Sequence, residues 1–141
     1  MSSQADPPLL TLLSRATEQE RRALLVTLAQ QGFDDATLPG ARILVVLAEG
    51  PRAVQAVAQA TQTTKQFAGR EVQKLLEADY VHLEQSTHDR RAWQVSIAPR
   101  GRALLDASKL AKRGLDQAVA KRLGRRDTDE LRRLLLRLLE V

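Results

Sequence analysis

Two short stretches, YVHLEQ and AWQVSI, alternate apolar and polar residues within a chain whose other apolar residues recur at helical spacing. A period of two puts Val81 and Leu83 on one face of a strand, and Trp93, Val95 and Ile97 on one face of another. The pattern predicts a hairpin closed by the six residues STHDRR, Ser86 to Arg91. The loop carries a histidine, an aspartate and two adjacent arginines, and that density of charge at a hairpin tip asks for a function.

The rest reads as helix. Leu9, Leu10, Leu12, Leu13 and Ala16, then Leu24, Leu25, Leu28 and Ala29, fall on helical faces up to Gly32. This is one long helix or two, because Thr17 with Glu20 has the form of a capping box and leaves a break open. LPGARILVVLAEG has Pro39 in a first turn and Gly50 as a stop, which favours a helix over a buried strand through Ile43 to Val46. Residues 52 to 60 give a short alanine-rich helix. TQTT breaks the chain before KQFAGREVQKLLEAD, for which Thr63 and Gln66 offer a capping box. Beyond the hairpin, Pro99 opens a long helix to about Leu123, Gly124 ends it, and Asp127 with Glu130 is expected to cap a final leucine-rich helix.

Composition agrees with a helical core. Hydrophobic residues make up 43% of the 141 positions but aromatics only 3%, so the interior must be aliphatic. The length suits one domain, residues 1–141. A net charge of +5 and a pI of 10.2 permit binding to nucleic acid or an anionic surface. The excess lies late: residues 1–51 carry 4 basic and 6 acidic groups, 52–102 carry 8 and 5, and 103–141 carry 10 and 6. With no cysteine, disulfides, thiolate metal sites and thiol redox sensing are excluded in this chain. No signal-peptide pattern and no apolar run of membrane-spanning length is present, so a cytoplasmic protein is expected.

Helix, helix, turn, helix and a two-stranded hairpin is the order of a winged helix-turn-helix. TLPGARILVVLAEG, the helix ending in LLEADYV, the loop DRRAWQVSI and the following PRGRALL together resemble the MarR family of bacterial transcriptional regulators, over roughly residues 9 to 140. The resemblance implies a mainly α fold with a small β-hairpin wing and long N- and C-terminal dimerisation helices. It implies a winged helix-turn-helix DNA-binding region at residues 38–97 and dimerisation helices at 9–32 and 99–141. Its most specific part is the DRR wing followed by a strand and Pro-x-Gly-x-x-Leu.

The charged tip then acquires a physical role. An arginine held at a hairpin tip can enter the narrow minor groove, where negative potential is enhanced. The family's Asp-x-Arg wing maps onto Asp89 and Arg91, with Asp89 orienting the arginine and Arg90 free for phosphate or groove contact. A solvated, charge-balanced loop is the bland reading of the same residues. Residues 64 to 78 form the helix that would enter the major groove, with Gln66, Arg70, Gln73 and Lys74 as donors and Thr64 and Lys65 suited to phosphates at its start. The match to LLEADYV implies a base-reading position for Arg70. The chain departs from the family in having Asp79 where glycine is common and Ala98 where a threonine cap is favoured. Gly69 should weaken the helix by roughly 1 kcal/mol against alanine, a cost that close backbone approach to DNA could offset.

Leu131, Leu134, Leu135, Leu138 and Leu139 form an apolar stripe that, with Leu9, Leu10, Leu12 and Leu13, exceeds what a thin domain can bury alone. The resemblance implies a homodimer through these residues, with two reading heads ~34 Å apart and a pseudo-palindromic operator. Intramolecular packing of the same leucines is the alternative. A repressor released by a small-molecule effector follows from the resemblance alone, with Phe33 and Leu38 as crevice candidates. No enzyme, metal or cofactor is expected, since His82 and His88 have no nucleophile or carboxylate partner at a recognised spacing and no glycine-rich phosphate loop occurs. The competing function is a winged-helix protein interaction module whose basic surface meets an acidic partner without sequence-specific DNA binding.

Overall fold

In the computed structural model, which describes residues 5–140, the elements run α1 (Leu9–Gln30), α2 (Leu38–Leu47), α3 (Val54–Thr61), α4 (Lys65–Glu77), β1 (Val81–Gln85), β2 (Trp93–Ile97), α5 (Pro99–Leu123) and α6 (Arg125–Leu139). The chain is mainly helical with one antiparallel hairpin, as expected. It divides into two compact units, one of residues 25–109 and one that joins the chain up to Leu24 with the chain from Leu110.

α1 passes through Thr17 without a break, because no proline or glycine interrupts residues 9–30. It closes where Gly32 adopts φ 93° and Phe33 N–H reaches back to the Leu28 carbonyl at 3.0 Å. In α2 the buried residues Gly40, Ile43, Leu44 and Leu47 follow the helical period, so the β-branched run is helix and not strand. Thr37 caps it, its extended backbone letting the side chain accept the Gly40 N–H at 3.1 Å.

The turn between α3 and α4 corrects one expectation. Gln62 takes a left-handed φ of 56°, which brings Thr64 rather than Thr63 to the cap, and the Thr64 hydroxyl accepts the Phe67 N–H at 3.1 Å. The Thr63 hydroxyl instead pairs with that of Thr61 at 3.0 Å. After α4, Asp79 carries φ 63°, so an aspartate does supply the left-handed turn for which glycine is the easier choice.

The hairpin pairs Val81 with Ile97, Leu83 with Val95 and Gln85 with Trp93. Its loop spans residues 86–92, one longer than predicted, because the Ala92 N–H turns back to the Asp89 carbonyl and the Ala92 carbonyl accepts the Ser86 N–H. Arg52 exchanges both backbone hydrogen bonds with Val95, at 3.0 and 2.8 Å, and adds a one-residue third strand to the hairpin base. Val81 and Val95 are buried, while Leu83, the partner of Val95, and Trp93 at the tip end of the ladder stay exposed.

In the unit of residues 25–109 the core is Ile43, Leu44, Leu47, Val57, Ala68, Val72, Leu75, Val81, Val95 and Leu104 around one aromatic, Tyr80. The aliphatic interior follows from the composition. The other unit is different. Leu9 is 73% exposed, Leu10 76%, Leu138 63% and Leu139 72%, and Leu12, Leu13, Leu131 and Leu134 are exposed as well, with Leu135 half-buried. Within a single chain, then, these leucines are not packed away.

α6 corrects a second expectation. Gly124, at φ 85°, is its N-cap, no side chain caps it, and Asp127 lies inside the first turn. Gly124 is the residue that can take that turn, so the helix begins at Arg125, before Asp127 is reached. Glu130, which the capping box would have used, binds Arg133 instead.

Candidate nucleic-acid interface

The second helix of the helix-turn-helix buries Ala68, Glu71, Val72 and Leu75 and turns Lys65, Gln66, Arg70, Gln73 and Lys74 to solvent. Gln66, Arg70 and Gln73 recur at i, i+4 and i+7 and so share one exposed stripe. Their states differ. Arg70 has no partner among the described residues, whereas Gln73 donates to Glu77 at 3.3 Å and Lys74 to Glu71 at 3.3 Å. The Glu71 side chain is only 10% exposed, so Lys74 neutralises a nearly buried carboxylate and is not a free surface cation. At the helix start, the Thr64 hydroxyl accepts Phe67 N–H but keeps its own proton to donate. The first-turn N–H groups beside it also lack intrahelical partners, which suits an anion.

At the wing, Asp89 Oδ1 accepts the backbone N–H of Arg91 at 2.9 Å and the Ser86 hydroxyl accepts that of His88 at 3.2 Å. Both bonds fix backbone. The Asp89 carboxylate thus shapes the turn on which Arg91 stands, and the Arg90 and Arg91 guanidinium groups are exposed with no partner among the described residues. Four cations, Lys65, Arg70, Arg90 and Arg91, are exposed on the two elements with no partner among the described residues.

One cluster has no precursor in the sequence reading. Arg100, in the first turn of α5, donates to Asp35 Oδ2 and Oδ1 at 3.2 and 3.3 Å, to the Ala78 carbonyl and to the Gly32 carbonyl at 3.4 Å. Its Cζ lies 4.1 Å from the Tyr80 ring centroid and 6.0 Å from that of Phe33, and the Tyr80 hydroxyl donates to Asp35 Oδ1. Burial pushes the Asp35 carboxyl up, but the hydrogen bonds from Tyr80 and Arg100 outweigh it and hold the group below its ordinary value. Burial, then the Asp35 hydrogen bond and charge, push the Tyr80 phenol well above its usual range. Phe33, expected at an effector site, is half-buried against this cluster, and Leu38 is half-buried at the start of α2. A cavity of about 220 Å³ opens beside α4 and shares Asp35, Ala78 and Tyr80 with this cluster, with Thr37, Glu71, Lys74 and Leu75 completing its lining. Positions 35, 80 and 100 are too far apart in the chain for spacing to have joined them. The strand-like pairing of Arg52 with Val95 has no sequence signature for a similar reason, since one residue has no period; it takes Arg52 out of the helix expected over residues 52 to 60, which begins at Val54 instead.

Gly69 sits on α4 with nothing within 4 Å of where a Cβ would project. Gly69→Ala is accordingly expected to raise stability by about 0.8–1 kcal/mol, read as a higher midpoint in urea unfolding. A fall in the midpoint would mean that the site is not open.

Among the described residues, no group of three or more His, Cys, Asp or Glu side chains is placed to hold a metal ion, and no helix is long and apolar enough to cross a membrane. Residues 35–92 match the family model described as MarR family. Rv1404 from Mycobacterium tuberculosis superposes with a TM-score of 0.77 at 20% identity, over 97% of this chain and 96% of that one. The M. tuberculosis MarR family protein Rv2887 in complex with DNA gives 0.69 at 27% identity, over 96% and 100%. The same protein in complex with salicylic acid gives 0.66 at 28%, over 94% and 97%. No curated protein matches the sequence at a significant level.

Proposed function

We propose that this chain, whose residues 35–92 match the MarR family model and which resembles the MarR family protein Rv2887 over nearly its whole length, is a homodimeric repressor that binds a pseudo-palindromic operator through α4 and the wing and leaves it when a small molecule binds. The observation that carries this reading is the outward stripe of α4, where Arg70 stands exposed and unpaired among the described residues between Gln66 and Gln73. A guanidinium with no internal partner can bind the O6 and N7 of guanine in the major groove. Thr64 and Lys65 would meet phosphates, and Arg91, on a turn shaped by Asp89, would enter the minor groove beside Arg90. The exposed leucines of α1 and α6 would form the two-fold contact. Phe33 and Leu38 are the proposed effector contacts, and Rv2887, solved with salicylic acid, shows the ligand class taken by a related protein. Release requires the effector to bind one conformation more tightly than the other.

The test is a salt titration on duplexes selected by the protein from a random-sequence pool. Arg70→Ala should cost about 1–3 kcal/mol of preference for the selected duplex over random duplex. Arg91→Ala should weaken binding and lower the slope of log K against log salt by roughly 1. Preference that survives Arg70→Ala removes the base-reading role. Indifference of the native protein to every duplex at low salt returns the fold to a protein interaction module.

A further inference from the structure

We propose that Arg100 is a positioning residue that locks the C-terminal end of the recognition helix to the root of the wing, so that α4 and the hairpin address one duplex at a fixed mutual angle. The inference rests on the DNA-reading function proposed above and adds a residue that touches no DNA to the specificity apparatus.

The argument starts from a local misfit. Arg100 lies in the first turn of α5, where the helix dipole disfavours a cation by about 0.3–1 kcal/mol at an exposed site. Helix formation therefore gives no reason for an arginine there, and the reason must be tertiary. A guanidinium fork can bind a carboxylate through two nitrogens while its flat face covers an aromatic ring, which an ammonium cannot do. Arg100 uses both properties. The fork meets the two oxygens of Asp35, and the face lies 4.1 Å from the Tyr80 ring centroid.

Its remaining contacts define what is locked. Ala78, whose carbonyl accepts from Arg100, is the C-cap of α4. Tyr80 follows the left-handed turn at Asp79, and its carbonyl accepts the Ala98 N–H at 2.9 Å, at the end of the wing's second strand. Gly32 and Asp35 belong to the turn ahead of α2. One side chain thus joins the end of the recognition helix, the exit of the wing and the turn before the helix-turn-helix. Rotating α4 against the hairpin would stretch the bond to Ala78 while the Tyr80 and Ala98 pairing held the wing. The bidentate pair is partly exposed, with side chains 34% and 42% accessible, so its role is geometric more than energetic.

Two substitutions of opposite charge separate positioning from electrostatic attraction. Arg100→Ala removes a positive charge and Asp35→Asn a negative one, and both break the fork. If Arg100 positions, each variant loses about tenfold in preference for the selected duplex over random duplex, while affinity for random duplex stays within about twofold. Arg100→Lys, which keeps the charge and loses the fork, should recover little of that preference. Should Arg100→Ala weaken both duplexes equally and Asp35→Asn strengthen both, Arg100 acts only as a charge and the proposal is overturned.

Amide hydrogen exchange on the free variants tests the latch without DNA. Faster exchange at Tyr80 and Ala98 in both Arg100→Ala and Asp35→Asn, with α3 unchanged, supports it. Unaltered exchange there overturns it. Loss of this protection in a protein whose native form prefers no duplex would leave the latch standing and remove the DNA-reading function instead.

Discussion

Placing glutamate at both Leu134 and Leu138 is expected to turn the proposed dimer into a monomer and to lower affinity for the selected duplex about a thousandfold or more. The two residues are one helical turn apart on α6 and exposed in the single chain, so the change should leave each protomer folded. Burying a leucine side chain is worth about 1.5–3 kcal/mol, and a two-fold contact would bury each exposed leucine of the terminal helices twice. Four carboxylates in such a contact lose hydration without gaining partners. A monomer engages one half-site only. Its binding should therefore fall toward the ~10⁻⁴–10⁻⁶ M range of non-specific contact, from the ~10⁻⁸–10⁻¹¹ M typical of specific complexes. Sedimentation equilibrium reads the first effect against a chain mass of 15.6 kDa, and a binding isotherm the second. Circular dichroism equal to that of the native protein completes the test. A native protein sedimenting at the mass of one chain, or a double variant that still dimerises, would refute the assigned contact.

Gly101→Ala should destabilise the protein by about 3 kcal/mol or more, although the same change in an open helix position is favourable by up to ~1 kcal/mol. A Cβ at Gly101 would stand 2.4 Å from the Tyr80 carbonyl oxygen, 2.8 Å from Ile97 Cγ1 and 3.1 Å from Leu44 Cδ2. The first of these is backbone already held by the Ala98 N–H, and Leu44 is fully buried, so neither can yield without moving the core. α5 must tilt away. At ~2–4 °C per kcal/mol for a chain of this size, the melting temperature should drop by about 9 °C. Gly69→Ala is the internal control, since its sign is opposite for the same chemical change. An unchanged or raised melting temperature for Gly101→Ala would mean that the first turn of α5 is not seated against Tyr80.

What could be read from the chain follows the range of the forces involved. Helical periods, the alternation around the wing, the stops at Gly32 and Gly50 and the left-handed Asp79 all depend on neighbours within a few residues. Most appeared where expected, but the short helix expected from residue 52 begins at Val54. The caps were less legible, because a capping box at Thr63 or Asp127 competes with backbone turns that a string of side chains does not display. Gln62 and Gly124 decided those starts by their φ angles. The candidate DNA donors were recognisable as residue types, but not their engagement: Gln73 and Lys74 are held by Glu77 and Glu71, and Arg70 is not.

By itself, the sequence determined a helical chain with one charged hairpin, an aliphatic interior, and more leucine on the terminal helices than one copy covers. Only the tertiary structure decided that Asp35, Tyr80 and Arg100 meet, that Arg52 pairs with the wing, and that Gly101 must lack a side chain. The division is physical. Periodicity and turn chemistry act along a few bonds, whereas the approach of positions 45 and 65 residues apart exists only once the intervening helices have packed.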